Sequence, residues 1–320
     1  MSAALEIPDL SRDLAEVEAI LLDALKDQSQ WATTIASHTA TAGGKRLRPV
    51  ICLLGGAFGP PERRQDVVRT AAGLELIHLA SLVHDDVVDQ AATRRGRATV
   101  SARWGNAVAV LAGDFLFSTS FELLLANGDA ALLRLVARMV RELTAGAIDE
   151  AQAAGTFTAG LEPYYDRIYR KTAVFLETAC QAGAMAGGAA PAVQTALAAY
   201  GRRVGMAFQI ADDLLDFTGD PAVTGKPSGG DLRSGIPTLP MILGRRHPGV
   251  RPLLERAFGQ PDADVTAVTE ALRQCGALAE TRRLARQMAE QGKRHLLPLR
   301  GQGPVETFAA LADLAVERDR

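Results

Sequence analysis

No proline falls between Pro61 and Pro163, so about a hundred residues run without the strongest breaker of helices. Cysteine is nearly absent too. Cys52, Cys180 and Cys275 lie far apart and form no Cys-x-x-Cys pair, which excludes a disulfide framework or a zinc cluster and points to a reduced compartment. Aromatic residues make up only 5% of the chain. There is no excess of positive charge: 35 Lys and Arg against 37 Asp and Glu leave no electrostatic case for nucleic acid. The longest apolar runs, such as 107–113, fall far short of the roughly 20 residues of a membrane span. The first residues, with Glu6, Asp9 and Asp13, lack the basic start of a signal or transit peptide. A cytoplasmic protein without stable membrane insertion is the expectation.

What the chain has is helix-forming residues at helical spacing. Within the proline-free stretch apolar side chains recur every three to four positions, as in Val67, Ala71, Leu74 and Ile77, and again in Leu132, Leu135, Val136 and Met139. Alternating strand patterns are scarce. The spacing predicts helices near 11–37, 48–57, 62–90, 106–127, 129–153, 161–187, 191–218, 236–244, 249–258, 263–275, 276–297 and 304–317. Breaks fall at Gly and Pro clusters short enough for turns inside one bundle, and 219–235 is the one long irregular connection. The reading is all-α, a single domain over 1–320.

Two acidic motifs carry the chemistry: Asp85-Asp86-Val87-Val88-Asp89 and Asp212-Asp213-Leu214-Leu215-Asp216, each ending an apolar helical run. On a helix the first and last aspartates of each motif share a face at i and i+4, where like charges repel. Hard divalent cations remove that conflict. Mg²⁺ takes carboxylate oxygens, keeps several waters and shares its remaining positions with phosphates, so two facing helices would hold a diphosphate through metal. Glycine-punctuated basic turns accompany the motifs: Gly44-Lys45-Arg46-Leu47-Arg48, Arg94-Arg95-Gly96-Arg97, Arg170-Lys171-Thr172 and Gly225-Lys226. Guanidinium and ammonium groups are what a second, metal-free diphosphate needs.

With these residues in order, and with Glu75-Leu76-Ile77-His78, Gly113-Asp114, Phe208-Gln209 and Thr238-Leu239-Pro240, the chain resembles the trans-polyprenyl diphosphate synthases over nearly its whole length. The resemblance implies the helical bundle of the isoprenoid synthase type and the head-to-tail condensation of isopentenyl diphosphate with an allylic diphosphate. It also implies Mg²⁺, three ions to a site, and a homodimer with an active site in each subunit. It assigns Asp85, Asp89 and Asp212 to direct metal ligation, with Asp86, Asp213 and Asp216 supporting as ligands or through water. Arg94, Lys171 and Lys226 would hold the allylic diphosphate, while Lys45, Arg48, His78 and Arg95 would hold isopentenyl diphosphate. Thr172 and Gln209 would line the site beside the developing allylic cation, and Gln152 matches a further polar position. His84 would support the adjacent aspartates. One departure stands out: many members carry Lys where this chain has Ile236, with Arg233 or another basic side chain as a substitute.

Product length is read from Ala80 and Ser81, one turn before Asp85, where short-chain members place an aromatic floor. Neither residue makes one. The pocket would continue toward Ile77, with Phe115 and Leu116 on the facing helix, and give a medium or long product of about C30 to C50. The alternatives are a geranylgeranyl or farnesyl diphosphate synthase, a terpene cyclase or head-to-head prenyl synthase, and a regulatory subunit of a heteromeric synthase. Cyclases and regulatory subunits usually depart from the second or first acidic motif, and both motifs are intact here.

Overall fold

Helix dominates the computed structural model, which describes residues 8–153, 155–157, 160–219 and 228–317. The chain divides into two compact units. One comprises Met1–Val140, Thr178–Thr195 and Gln302–Pro304; the other comprises Arg141–Glu177, Ala196–Gly301 and Val305–Arg320.

In chain order the first part carries α1 (Pro8–Ala24), α2 (Gln30–Ala40), α3 (Leu47–Gly56), a 3-10 turn at Pro61–Arg63 and α4 (Arg64–Val88). A two-stranded hairpin follows, β1 (Thr93–Arg94) antiparallel to β2 (Arg97–Ala98), then α5 (Val100–Trp104), α6 (Asn106–Leu125) and α7 (Ala130–Ala153). The rest holds α8 (Leu161–Ile168), a π-helical turn at Tyr169–Ala173, α9 (Val174–Ala186) and α10 (Pro191–Thr218). The last helices are α11 (Gly230–Arg233), α12 (Leu239–Gly244), α13 (Arg251–Ala257), α14 (Val265–Gln274), α15 (Ala277–His295) and α16 (Val305–Val316).

The centre of the first unit is α4, against which α1, α3 and α6 pack. From Thr70 to Ile77 every residue is buried, including Gly73 and the charged Glu75. A helix wrapped on all sides needs apolar residues all round, not in one stripe. Gly73 admits α6 closely, since a Cβ there would sit 3.0 Å from the Leu124 side chain. At the other end a Cβ on Gly113 would strike the His84 imidazole at 2.1 Å. These two contacts fix an antiparallel register that sets Ala80 level with Phe117. The second unit has its own apolar core, with Tyr164, Ile210, Leu214, Phe217, Ile242 and Leu272 among its members.

Several expected elements differ. The helix expected over 11–37 is two helices, because Asp27 accepts from the Ser29 N–H (2.7 Å) and Ser29 from that of Ala32 (3.3 Å). These local bonds end one helix and cap the next. The helix expected over 161–187 passes through the π-helical turn, and that expected over 236–244 begins only at Leu239, behind Pro237 and with Pro240 in its first turn. The connection 219–235 contains α11, while 220–227, with Lys226, lie outside the described residues. The hairpin was not expected, since two residues per strand are too few to show alternation. The apolar runs looked too short to span a membrane, yet α6 is long and apolar enough by length and composition. Asp114 and Glu122 interrupt its apolar run without interrupting the helix.

Where α3 meets the Thr178–Ala186 part of α9, glycine decides the spacing. A Cβ on Gly183 would lie 2.0 Å from the Cys52 carbonyl oxygen, and one on Gly55 would lie 2.7 Å from that of Cys180. Backbone atoms cannot step aside as a flexible side chain does, so Gly183→Ala is expected to cost about 1–3 kcal/mol as overpacking. Gly249→Ala, which meets nothing within 4 Å, serves as the control. Thermal unfolding should show a lower Tm for the first variant alone; equal Tm values would contradict the close helix approach.

Candidate active site

In the first unit the acidic motif ends α4. Asp85 and Asp89, one helical turn apart, are exposed, whereas Asp86 is turned inward and buried. Helical geometry makes that division, since the second residue of the motif lies about 100° round from the first. Arg94, on β1, donates from Nε to Asp86 Oδ1 at 2.7 Å. Burial pushes the Asp86 carboxyl above its ordinary range, and Arg94 pulls it back only in part.

Beside it lies a cationic group. Arg48 Nη1 is 3.0 Å from His78 Nε2, and because guanidinium only donates, His78 is the acceptor. Burial first, then Arg48 and Arg95, hold the His78 pKa well below its usual value, so the imidazole is neutral at neutral pH. Burial also brings the Arg48 pKa down to about 10. Arg95 packs its guanidinium over Gly44, where a Cβ would stand 2.6 Å from Nη1. Its backbone has φ of 52° and that of Gly96 has 74°, the left-handed pair of a type I′ turn. Lys45 is exposed at the start of this segment.

The counter-charge beneath is Glu75. It is 3% exposed, receives Arg46 Nη1 at 2.8 Å, and is held above the usual carboxylate range by burial, against the pull of Arg46 and Arg48. Arg46 also binds Glu18 and donates to the Ala40 carbonyl at 2.8 Å. It is therefore structural: removing one partner of such a buried pair costs about 3–5 kcal/mol because a charge is stranded. Neither residue's role was read from the sequence, although a glutamate inside an apolar helix was the available signal.

The second unit carries the other acidic motif at the end of α10. Asp212 is exposed, Asp216 half-buried and Asp213 buried. Two side chains hold Asp213: Tyr164 Oη donates to Oδ2 (2.7 Å) and Gln209 Nε2 to Oδ1 (2.9 Å), while Thr172 Oγ1 donates to Gln209 Oε1 (2.7 Å) and so fixes the glutamine. Burial nevertheless raises the Asp213 pKa to about 6. Asp216 accepts the N–H groups of Gly230 and Asp231 at 3.0 and 3.1 Å. That contact brings Asp231 close, and burial together with Asp213 and Asp216 raises its pKa to about 7. These carboxylates destabilise one another's charge.

Lys171 and Thr172 sit on the π-helical turn, a distortion that re-aims side chains and recurs at functional sites. Lys171 Nζ lies 2.7 Å from Glu150, and although burial alone would lower its pKa, Glu150 carries it upward. Ile236 lines a cavity of about 250 Å³ together with Tyr164, Arg167, Arg170 and Glu150. The cation beside Ile236 is Arg167, which donates to the Pro237 carbonyl at 2.5 Å. Arg233, considered from the sequence, instead donates to the Ser228 carbonyl at 2.7 Å. Gln152 is exposed on α7. Tyr164, Arg167, Glu150 and Asp231 were missed, since nothing local marks their convergence.

Of the residues expected to set product length, Ile77, Ala80 and Leu116 are fully buried and Phe115 is half-buried. The Ser81 hydroxyl donates to the His78 carbonyl at 2.8 Å. His84 lies 3.1 Å from the Val110 carbonyl through Nε2 and 3.6 Å from Asp114, so it ties α4 to α6 directly before the acidic motif.

The residues fit a divalent metal. Among the described residues no three His, Cys, Asp or Glu side chains converge as a ready-made cage. The aspartates are presented two to a helix face instead, and burial and mutual repulsion raise the pKa of Asp213 and Asp231 despite Arg167 and Lys171. Mg²⁺ suits such sites because it accepts a few carboxylates and completes its shell with water and phosphate oxygens.

The polyprenyl synthetase family model matches residues 29–275. Component 2 of the heptaprenyl diphosphate synthase of Geobacillus stearothermophilus is 38% identical over 308 residues, covering 96% of this chain and 95% of that one. The octaprenyl diphosphate synthase of Escherichia coli is 35% identical over 314 residues and 97% of each chain. A crystal structure of a polyprenyl synthase from Caulobacter crescentus, complexed with calcium and isoprenyl diphosphate, superposes with a TM-score of 0.90 at 34% identity, covering 98% of this chain and 97% of that one. With the fold, both acidic motifs and this similarity along the chain in agreement, the protein belongs to the polyprenyl synthetase family of all-α prenyltransferases.

Proposed function

We propose that the protein builds an all-trans polyprenyl diphosphate of about C30 to C50 by successive condensation of isopentenyl diphosphate onto an allylic diphosphate. Two observations carry this reading: paired acidic motifs with a separate guanidinium cluster, and similarity to heptaprenyl and octaprenyl diphosphate synthases. The family is dependent on divalent metal. Mg²⁺, in the number of three, would be held by Asp85, Asp89, Asp212 and Asp216, and when bound it neutralises charge on the departing diphosphate.

The protein's own groups divide the remaining work. Arg94, Lys171 and Lys226 bind the allylic diphosphate, and Lys45, Arg48, His78 and Arg95 bind isopentenyl diphosphate. Arg48 and Arg95 supply charge-assisted donors, while neutral His78 orients Arg48. Asp86 and Asp213, anchored by Arg94 and by Tyr164 with Gln209, hold their motifs in place. Thr172 and Gln209 turn oxygen dipoles toward the carbon that becomes cationic. The proton lost on condensation goes to the released diphosphate, so no side-chain base is needed. The tail descends between α4 and α6 past Ala80.

The exposed Val110, Leu111 and Leu125 of α6 support self-association, which we assign to a homodimer in the cytoplasm, without stable membrane insertion. Because one relative is a component of a heptaprenyl synthase, activity of the purified chain alone is the observation that separates a complete enzyme from a subunit needing a partner.

Three outcomes test the assignment. Chelation should abolish turnover, and Asp85→Ala or Asp212→Ala should lower kcat by roughly a hundred-fold or more; near-normal rates in either variant would remove the metal role. Lys45→Ala and Arg95→Ala should raise KM for isopentenyl diphosphate about tenfold, whereas Lys226→Ala should weaken the allylic substrate. Equal effects on both substrates would refute that division. Mass spectrometry of products should show about C30 to C50 chains, and Ala80→Phe should shorten them toward C15 or C20. An unchanged distribution in active Ala80→Phe enzyme would place the tail elsewhere.

A further inference from the structure

The hairpin that carries Arg94 and Arg95 is too small to hold itself. It has two residue pairs, Thr93 with Ala98 and Arg94 with Arg97, and an isolated two-stranded ribbon is marginal in water. Its turn is strained as well, because Arg95 adopts a left-handed backbone that glycine or asparagine would take more readily. Yet its two arginines reach different targets: Arg94 binds Asp86 of the acidic motif, and Arg95 lies over Gly44 in the cationic group. Something outside the ribbon must set its position.

Thr99 closes the base of the hairpin on itself, with its N–H on the Ala92 carbonyl at 3.1 Å and its hydroxyl on that of Ala91 at 2.7 Å. Besides the bond of Arg94 to Asp86 on α4, the hairpin is tied to its surroundings through α2. His38, in its last turn, has Nε2 at 2.8 Å from the Ala98 carbonyl oxygen. A carbonyl only accepts, so Nε2 carries the hydrogen. The imidazole is steered by Trp104, whose ring meets it edge-on at 5.1 Å and 86°. A longer bond, Arg97 Nη1 to Thr41 Oγ1 at 3.4 Å, joins the same strand just beyond the end of α2.

We propose that His38 is a positioning residue for isopentenyl diphosphate: its N–H to Ala98 holds the hairpin so that Arg95 faces the substrate. This rests on the assignment of Arg95 to that substrate. His38 has no place in the acidic motifs or the basic turns, and its sequence neighbourhood gives no hint of the role.

The test is a double-mutant cycle with a rescue. His38→Phe keeps a ring against Trp104 but removes the donor, and His38→Gln restores an N–H at the position of Nε2. His38→Phe should raise KM for isopentenyl diphosphate about tenfold with a much smaller change in kcat and in the allylic KM, while His38→Gln stays within about twofold of the parent. In an Arg95→Ala background His38→Phe should add almost nothing, because its effect passes through Arg95. Circular dichroism melts identify any variant that is unfolded, and His38→Ala then takes its place. Additive penalties in the double variant, or an unchanged KM in His38→Phe while Arg95→Ala raises it, would overturn the positioning role. An unchanged KM in Arg95→Ala would overturn the substrate assignment beneath it, and the positioning role with it.

Discussion

A carboxylate taken out of water must meet positive charge or donors, and this requirement organises both acidic motifs. Within each motif the helix turns the second aspartate inward and leaves the first facing solvent. The inward pair is held by the protein: Asp86 by Arg94, and Asp213 by Tyr164 and Gln209. The outward ones face solvent. Asp231, brought against Asp216 by α11, adds a carboxyl that Asp213 and Asp216 push up and Lys171 pulls down. On the proposed function, a divalent ion arriving with a diphosphate would add positive charge to the outward aspartates.

The cationic side follows the same rule with the signs reversed. Arg95 is repelled by Arg94 and Arg46 and in turn acts on Arg48, while Glu75, buried in α4, and Asp86, bound by Arg94, supply negative charge among them. Arg46 is bound to Glu18 and Glu75 and so belongs to the scaffold, although it sits in the same short motif as Lys45 and Arg48. A diphosphate would relieve the remaining repulsion. On the proposed function, the acidic motifs suit a metal-bound diphosphate and the cationic group a bare one.

Much of this was legible in the sequence because it depends on local periodicity. The proline-free stretch announced long helices, and the spacing of Asp85, Asp89, Asp212 and Asp216 announced helix faces that repel without metal. What was not legible depends on contacts between distant residues or on short-range competition. The break after α1 arises from two side chains, Asp27 and Ser29, outbidding a helix whose apolar period continues through them. The π-helical turn aims Lys171 and Thr172, yet its residues have no composition that marks it. Tyr164 lies 49 residues from Asp213 and meets it only in the fold. Arg167 stands beside Ile236 for the same reason, where sequence order suggested Arg233.

Calorimetric titration of the apo protein with inorganic diphosphate, in Mg²⁺ and in chelator, addresses the central claim without any turnover. If the aspartates meet a diphosphate through metal, metal and diphosphate bind with strong mutual dependence. Affinity should rise at least about tenfold with Mg²⁺, and Asp212→Asn should remove most of that gain. Equal affinity in Mg²⁺ and in chelator would contradict the account, because it would mean that the two acidic motifs do not meet their ligand through metal.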